Sequence, residues 1–184
     1  MKTSLLVQAP NSQLVIIDMQ EKLASVMPSE AMQQVIKNAN VLLQTAKILE
    51  IPTIFTEQYP KGLGKTCSQL SSESIQVVEK TAFSCCDEPT FNRRLTSDKS
   101  QIVLAGMETH ICILQTAMAL HAQGRHQVFV AEDAVISRDP ANKANALERL
   151  RNTGVIVSNT ESIVFEWLGK AEGDAFKQIS KLIR

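Results

Sequence analysis

The chain of 184 residues has few of the residues on which whole classes of function depend. It has no excess charge, with 19 basic against 19 acidic side chains, and no basic stripe runs along it. Nucleic acid and anionic membrane surfaces are therefore poor partners for it. Four cysteines at irregular spacing, two of them adjacent at Cys85 and Cys86, are too few for a disulfide framework. With only three histidines, His110, His121 and His126, and neither a C-x-x-C nor an H-E-x-x-H pattern, a zinc site has little to be built from. No apolar run approaches membrane-spanning length, and Met1 to Gln13 has too little apolar length for a signal peptide. A cytoplasmic protein with no membrane partner is the expectation.

What the chain does contain is an alternation of short apolar runs with helical periodicity. Leu14-Val-Ile-Ile-Asp18 is apolar, mostly β-branched and closed by a carboxylate, as a strand buried on both faces reads. From Glu30 to Glu50, apolar residues recur at Val35, Ala39, Leu42, Ala46 and Leu49, a helical stripe that Ile51-Pro52 ends. Thr53 to Thr56 is a second strand. A loop is expected from Glu57 to Lys65, where Pro60, Gly62 and Gly64 fall. Ile75 to Val78 is a third strand, with Lys80 just beyond its end, and a short helix follows from Pro89 with Asp87 as its cap.

The stretch Gln101 to Met118 is a buried strand, Ile102 to Ala105, that breaks at Gly106, turns through Met107 to His110 and opens a helix to Gln123 with Cys112 in its first turn. Unpaired N–H groups and the helix dipole at such a position favour thiolate over thiol. A small core cysteine is the competing reading. Gln127 to Val130 is strand five, followed by Glu132 and Asp133. Asp139-Pro140 opens a helix to about Asn152, Val155 to Val157 is strand six, Thr160 caps the next helix, and Gly173 introduces the last.

Strands alternating with helices along one uninterrupted domain, residues 1–184, point to an α/β fold whose parallel sheet is covered on both faces. Ligands bind such sheets beyond the carboxyl ends of the strands, where the winding reverses. Asp18, Lys80 and Cys112 all fall at that edge. Moving a proton from a free thiol to a free carboxylate costs about 6 kcal/mol in water, so Asp18 alone cannot activate Cys112. An ammonium from Lys80 makes the three coherent: Cys112 attacks a carbonyl carbon, Asp18 takes the thiol proton and returns it to the leaving amine, and Lys80 balances charge. Backbone N–H groups from Met107 to Cys112 would receive the oxyanion, each worth about 3 kcal/mol.

Val15-Ile-Ile-Asp18-Met-Gln20, Lys80-Thr-Ala-Phe-Ser84 and Gly106-Met-Glu-Thr-His-Ile-Cys112-Ile-Leu-Gln-Thr-Ala117 resemble the three signature blocks of the isochorismatase-like cysteine hydrolases. The resemblance runs from Gln13 to Leu168. Thr56-Glu-Gln-Tyr-Pro-Lys-Gly-Leu-Gly64 further resembles the isochorismatase domain-containing protein subgroup. It implies a three-layer α/β/α sandwich, Rossmann-like, around a six-stranded parallel sheet, and an Asp, Lys, Cys triad carried onto Asp18, Lys80 and Cys112. It also implies a non-proline cis peptide at Met107–Glu108, oxyanion donors at the amides of Glu108 and Cys112, and assembly as a homo-oligomer.

Nicotinamidases of this family bind a metal through an Asp and His cluster after strand two. No histidine lies between Asp18 and Lys80 here, so neither a metal nor any other cofactor is expected. Isochorismatases that cleave a vinyl ether lack the nucleophilic Cys; its presence favours hydrolysis of a small amide or carbamoyl substrate through a thioester. The expected pocket is walled by Asp18, Leu23, Glu57, Tyr59, Lys80, Phe83, Glu108 and Cys112. Ether hydrolysis and a non-catalytic scaffold on the same fold are the rival readings.

Overall fold

In the computed structural model, residues 5–70 and 77–183 are described. A six-stranded parallel sheet, in the order β3-β2-β1-β4-β5-β6, forms its middle layer. The strands are β1 (Ser12–Ile17), β2 (Thr53–Gln58), β3 (Val77–Lys80), β4 (Gln101–Met107), β5 (Gln127–Ile136) and β6 (Ile156–Ser158). The helices are α1 (Glu21–Ala24), α2 (Ser29–Ile48), α3 (Pro60–Leu63), α4 (Pro89–Arg94), α5 (Leu114–Ala122), α6 (Pro140–Thr153), α7 (Thr160–Leu168) and α8 (Gly173–Ile179). Among the described residues, no helix is long and apolar enough to cross a membrane.

The two-sided burial read from the apolar runs has a direct structural cause. Alternate residues of one strand enter opposite cores, because successive side chains point to opposite faces. Leu14 and Ile16 of β1, Phe55, Val103 and Phe129 pack against Val35, Ala39 and Leu42 of α2 and Trp167 of α7. Val15 and Ile17, with Ile54, Ile102 and Leu104, pack against Ile113, Ala117 and Leu120 near α5, and against Leu147 and Leu150 of α6. Each central strand is thus a slab between two helical layers, and its only exposed edge of consequence is its end.

Several boundaries differ from the sequence expectation. β4 does not break at Gly106 but continues to Met107, because its last residues still pair with β1 and β5. Gly106 has φ 127°, and a Cβ there would be driven into the Ile17 carbonyl oxygen. Glycine is what lets the two strand ends approach. β3 begins at Val77 and holds Lys80 as its last residue rather than beyond it; Ile75 and Gln76 lie outside the described residues. β2 runs on through Glu57 to Gln58, and Pro60–Leu63 is a helical turn inside the expected loop.

Capping also departs from expectation. Asp87 does not cap α4; Glu88 holds the cap position, and its carboxylate instead accepts the Thr81 and Ala82 N–H groups (2.9 and 3.2 Å). Asn159, not Thr160, caps α7 through the Ser162 N–H. Thr160 donates its N–H and hydroxyl to Asp133 (2.7 and 2.8 Å). Glu132 and Asp133 lie within β5, where its register against β4 jumps from Leu104↔Val130 to Gly106↔Val135. Asp139 caps α6 as read, accepting the Ala141 N–H at 2.8 Å.

The close approach at Gly106 generates a prediction. Gly106→Ala adds a methyl against a backbone carbonyl at a positive φ and should cost about 3 kcal/mol. Urea unfolding of the purified variant checks this; a loss under about 1 kcal/mol would mean the two strand ends can part without consequence.

Candidate active site

β1, β3 and the turn after β4 deliver three side chains to one point at the carboxyl edge of the sheet. Asp18 leaves β1 in the left-handed region (φ 52°), which turns its carboxylate inward; it has no solvent exposure. Its Oδ1 accepts the Thr56 hydroxyl at 2.7 Å, and its Oδ2 lies 2.7 Å from the Lys80 Nζ. Oδ2 takes no hydrogen bond of good geometry within the described residues, so it meets the ammonium as an ion pair and keeps acceptor capacity. The Lys80 Nζ stands 3.5 Å from the Cys112 Sγ. Asp18, Lys80 and Cys112 therefore form one buried cluster, 62 and 32 positions apart along the chain as they are.

Lys80 is held by more than its counter-ion. Gln58 Oε1 lies 2.5 Å from Nζ, and the carbonyl oxygens of Ala82 and Phe83 accept at 3.1 and 3.3 Å. Gln58 is itself fixed by Gln20, whose Oε1 accepts the Gln58 N–H (2.7 Å) and whose Nε2 donates to the Gln58 and Gly64 carbonyls (3.0 and 2.7 Å). Sequence reasoning did not single out Thr56, Gln58 or Gln20. The available signal was β2 alternation, which puts Thr56 and Gln58 on one side and Glu57 on the other.

Electrostatics set the protonation of the cluster. Burial works most strongly against the charge of Lys80, but the attractions of Asp18, Cys112 and Cys85 together outweigh it, so its pKa lies above the usual lysine value. For Cys112, burial and then the Asp18 charge push the thiol well up, while Lys80 opposes them without prevailing. This corrects the expectation of a thiolate poised by a helix N-terminus. Cys112 sits in a π-helical turn, Thr109–Ile113, ahead of α5, and the buried carboxylate beside it favours the proton on sulfur.

The other expected pocket residues are dispersed in role. Glu57 is buried and turned to the loop: its oxygens take the Thr66 N–H and hydroxyl (2.8 and 2.9 Å) and the Lys65 ammonium (3.2 Å). Leu23 packs against the core on the α2 face. Tyr59 (φ 37°) and Phe83 are more than half exposed, and both flank Lys80 through their backbones, Tyr59 donating its N–H to the Lys80 carbonyl at 2.8 Å. The Met107–Glu108 peptide is cis. The Glu108 carboxylate bonds to Arg138, and its carbonyl accepts the N–H groups of Ile111 and Ile113 (3.1 and 3.3 Å). Among the described residues, no group of three or more His, Cys, Asp or Glu is arranged to hold a metal ion. A cavity of about 380 Å³ opens beside Cys67 and Met32 on the α2 face, not over Cys112.

A family model for the isochorismatase domain matches residues 12–162. The chain belongs to the isochorismatase family. It has the three-layer hydrolase fold of that family. Isochorismatase domain-containing protein 2 of Bos taurus is 38% identical over 95% of this chain and 83% of its own. A structure described as the MAR1 ribonuclease of Caenorhabditis elegans superimposes with a TM-score of 0.90 at 35% identity, over 97% of this chain and 92% of its own. YcaC of Pseudomonas aeruginosa, solved with hexane-2,5-diol and covalent acrylamide, shares the fold at a TM-score of 0.86 and 21% identity, over 99% and 93%.

Two predictions concern the charges of this isochorismatase-family site. Lys80→Met should destabilise the protein by about 3–5 kcal/mol at neutral pH, because it strands the Asp18 carboxylate without water. The double variant with Asp18→Asn should recover part of that loss in a denaturation cycle; strictly additive losses would show the pair is not coupled.

Alkaline pH should weaken the fold. In the unfolded chain a thiol loses its proton near pH 8.5, whereas burial, resisted by Lys80, pushes Cys85 up to about 12. Between those values the native state binds the extra proton, so stability falls as pH rises, by about 1.4 kcal/mol per unit for one such thiol. Lys80, also raised, acts in the same sense above its unfolded value of about 10.4. Denaturant midpoints taken from about pH 8 to about 10.5 should decline, and less steeply in Cys85→Ala.

Proposed function

We propose that the protein is a cysteine hydrolase that cleaves the carbon–nitrogen bond of a small amide or carbamoyl compound, with Cys112, Asp18 and Lys80 as a catalytic triad. The observation that carries this reading is the contact chain itself: a sulfur 3.5 Å from a buried ammonium that is 2.7 Å from a buried carboxylate. A structural cysteine has no need of either neighbour, and burying two charges without a task costs several kcal/mol before compensation.

The resting thiol is protonated, so deprotonation has to accompany attack. Sγ bonds to the substrate carbonyl carbon as its proton passes to Asp18, and the carbonyl oxygen becomes an oxyanion received by the amides of Glu108 and Cys112. Each such donor is worth about 3 kcal/mol of barrier, against the cost of about 6 kcal/mol for the proton transfer in water. Asp18 then protonates the leaving nitrogen, the C–N bond breaks, and a thioester remains on Cys112. Water, deprotonated by Asp18, attacks that thioester; the acid departs and the proton returns to sulfur. Lys80 keeps its charge throughout, so the cluster never holds an isolated negative charge in a dry site.

Cys112 is only 6% exposed, which restricts the substrate to a small molecule. The likeness to a protein described as a ribonuclease brings a second chemistry to consider. Asp18 is fully enclosed, and the chain carries equal numbers of positive and negative side chains, neither of which suits a phosphate polymer.

A panel of small amides assayed for ammonia release, in the presence of a chelator, tests the proposal. Turnover should persist after chelation and fall by about 10⁴-fold or more in Cys112→Ala. A brief quench should reveal an acyl mass on the peptide containing Cys112. Amide turnover that survives Cys112→Ala, or RNA cleavage with none of amides, would overturn it.

A further inference from the structure

The turn that carries Cys112 is tied to the strand beside it by side chains that the mechanism above does not use. The β4–β5 ladder ends at the pair Met107↔Ile136. Just past it, the Glu108 carboxylate accepts the Arg138 backbone N–H at 2.9 Å on Oε2 and the Arg138 Nε at 3.1 and 3.3 Å on its two oxygens. The next link is His110 Nδ1 with the Ser137 hydroxyl at 3.0 Å. Glu108 is buried at 6% exposure, whereas the Arg138 side chain is 59% exposed. With its carbonyl taken by Ile111 and Ile113, Glu108 is fixed at both its side chain and its carbonyl.

We infer that Arg138 is a positioning residue: by clasping the Glu108 carboxylate it sets the direction of the 108 and 112 amides that receive the substrate's carbonyl oxygen. This rests on the reading of Cys112 as a nucleophile toward carbonyl compounds. An ion pair with one partner mostly in water contributes little to stability. The Nε–H of the planar guanidinium, in contrast, is shared between both carboxylate oxygens and, with the Arg138 backbone N–H, holds the carboxylate in one orientation that a freely rotating ammonium does not fix. Amide donors displaced by even a fraction of an ångström no longer meet a developing oxyanion. Arg138 therefore acts on the reaction while hardly touching the fold.

The test compares two electrophiles at Cys112, with rates normalised to free cysteine. 4-Nitrophenyl acetate is attacked at its carbonyl carbon and develops an oxyanion to be bound, releasing nitrophenolate; 4,4′-dithiodipyridine develops none. Both require the thiolate, so their ratio cancels any change in thiol ionisation. Wild type should favour the ester relative to free cysteine. Arg138→Ala should lower the ester acylation rate about tenfold or more, with the disulfide rate within about twofold and the thermal midpoint nearly unmoved. Arg138→Lys should fail in the same way, since it keeps the charge and loses the planar Nε–H shared between the two oxygens; it also supplies the comparison if the alanine variant does not fold. Glu108→Gln should fall between, because its amide oxygen still accepts the Arg138 N–H. A ratio unchanged in both Arg138 variants, or two rates that fall together, overturns the positioning role alone. A wild-type ratio no higher than that of free cysteine overturns the carbonyl-binding reading and the positioning role with it.

Discussion

A carboxylate and an ammonium, both shut off from water and 2.7 Å apart, are the constraint to which the rest of this structure answers. Such a pair is a weak source of stability, because the two lost hydration shells offset most of the attraction. It persists where further hydrogen bonds hold both partners. Here Thr56 supplies a donor to Asp18, while Gln58 and the carbonyls of Ala82 and Phe83 take up the ammonium. Those acceptors in turn need fixing, and Gln20 and Glu88 fix them by bonding to the backbone on either side. Each layer of polar contacts exists to hold the one inside it.

The sheet makes that arrangement possible. β1 is flanked by β2 on one side and β4 on the other, so the order in which strands are added reverses between β1 and β4 and leaves a gap at their carboxyl ends. Asp18 comes from β1, Thr56 and Gln58 from β2, Lys80 from β3, and Cys112 from the turn after β4. Four neighbouring strand ends thus each contribute to one cluster. Gly106 narrows the gap by removing the side chain that would keep β1 and β4 apart.

Electrostatics then give the sulfur its character. Placed beside Lys80 alone, a thiol would ionise more easily; placed beside Asp18 in a dry site, it holds its proton. In the mechanism proposed above, such a thiol reacts when a bound carbonyl accepts its electrons while Asp18 accepts its proton, so selectivity comes from the coupling of the two transfers.

The fold class was legible in the sequence because two-sided burial leaves a strong mark: β1 and β4 are short apolar runs bounded by polar residues, and α2 carries an uninterrupted helical stripe. The residues Asp18, Lys80 and Cys112 were legible too, since charged or nucleophilic side chains stand at strand ends where apolar ones otherwise dominate. Less legible was everything set by long-range bonding. Glu57 looked like a pocket wall and is a loop clasp; Thr160 looked like a cap, yet Asn159 does the capping. Arg138 gave no signal, and Thr56 and Gln58 only that of strand alternation, because an ordinary polar residue gains its role only from the partner it meets. Local pattern alone marked most of the strands and helices and the charged or nucleophilic side chains that stand at strand ends. Only the tertiary structure decided where the proton rests and which way Glu108 turns, for both depend on charges and burial that arise when distant parts of the chain come within a few ångströms.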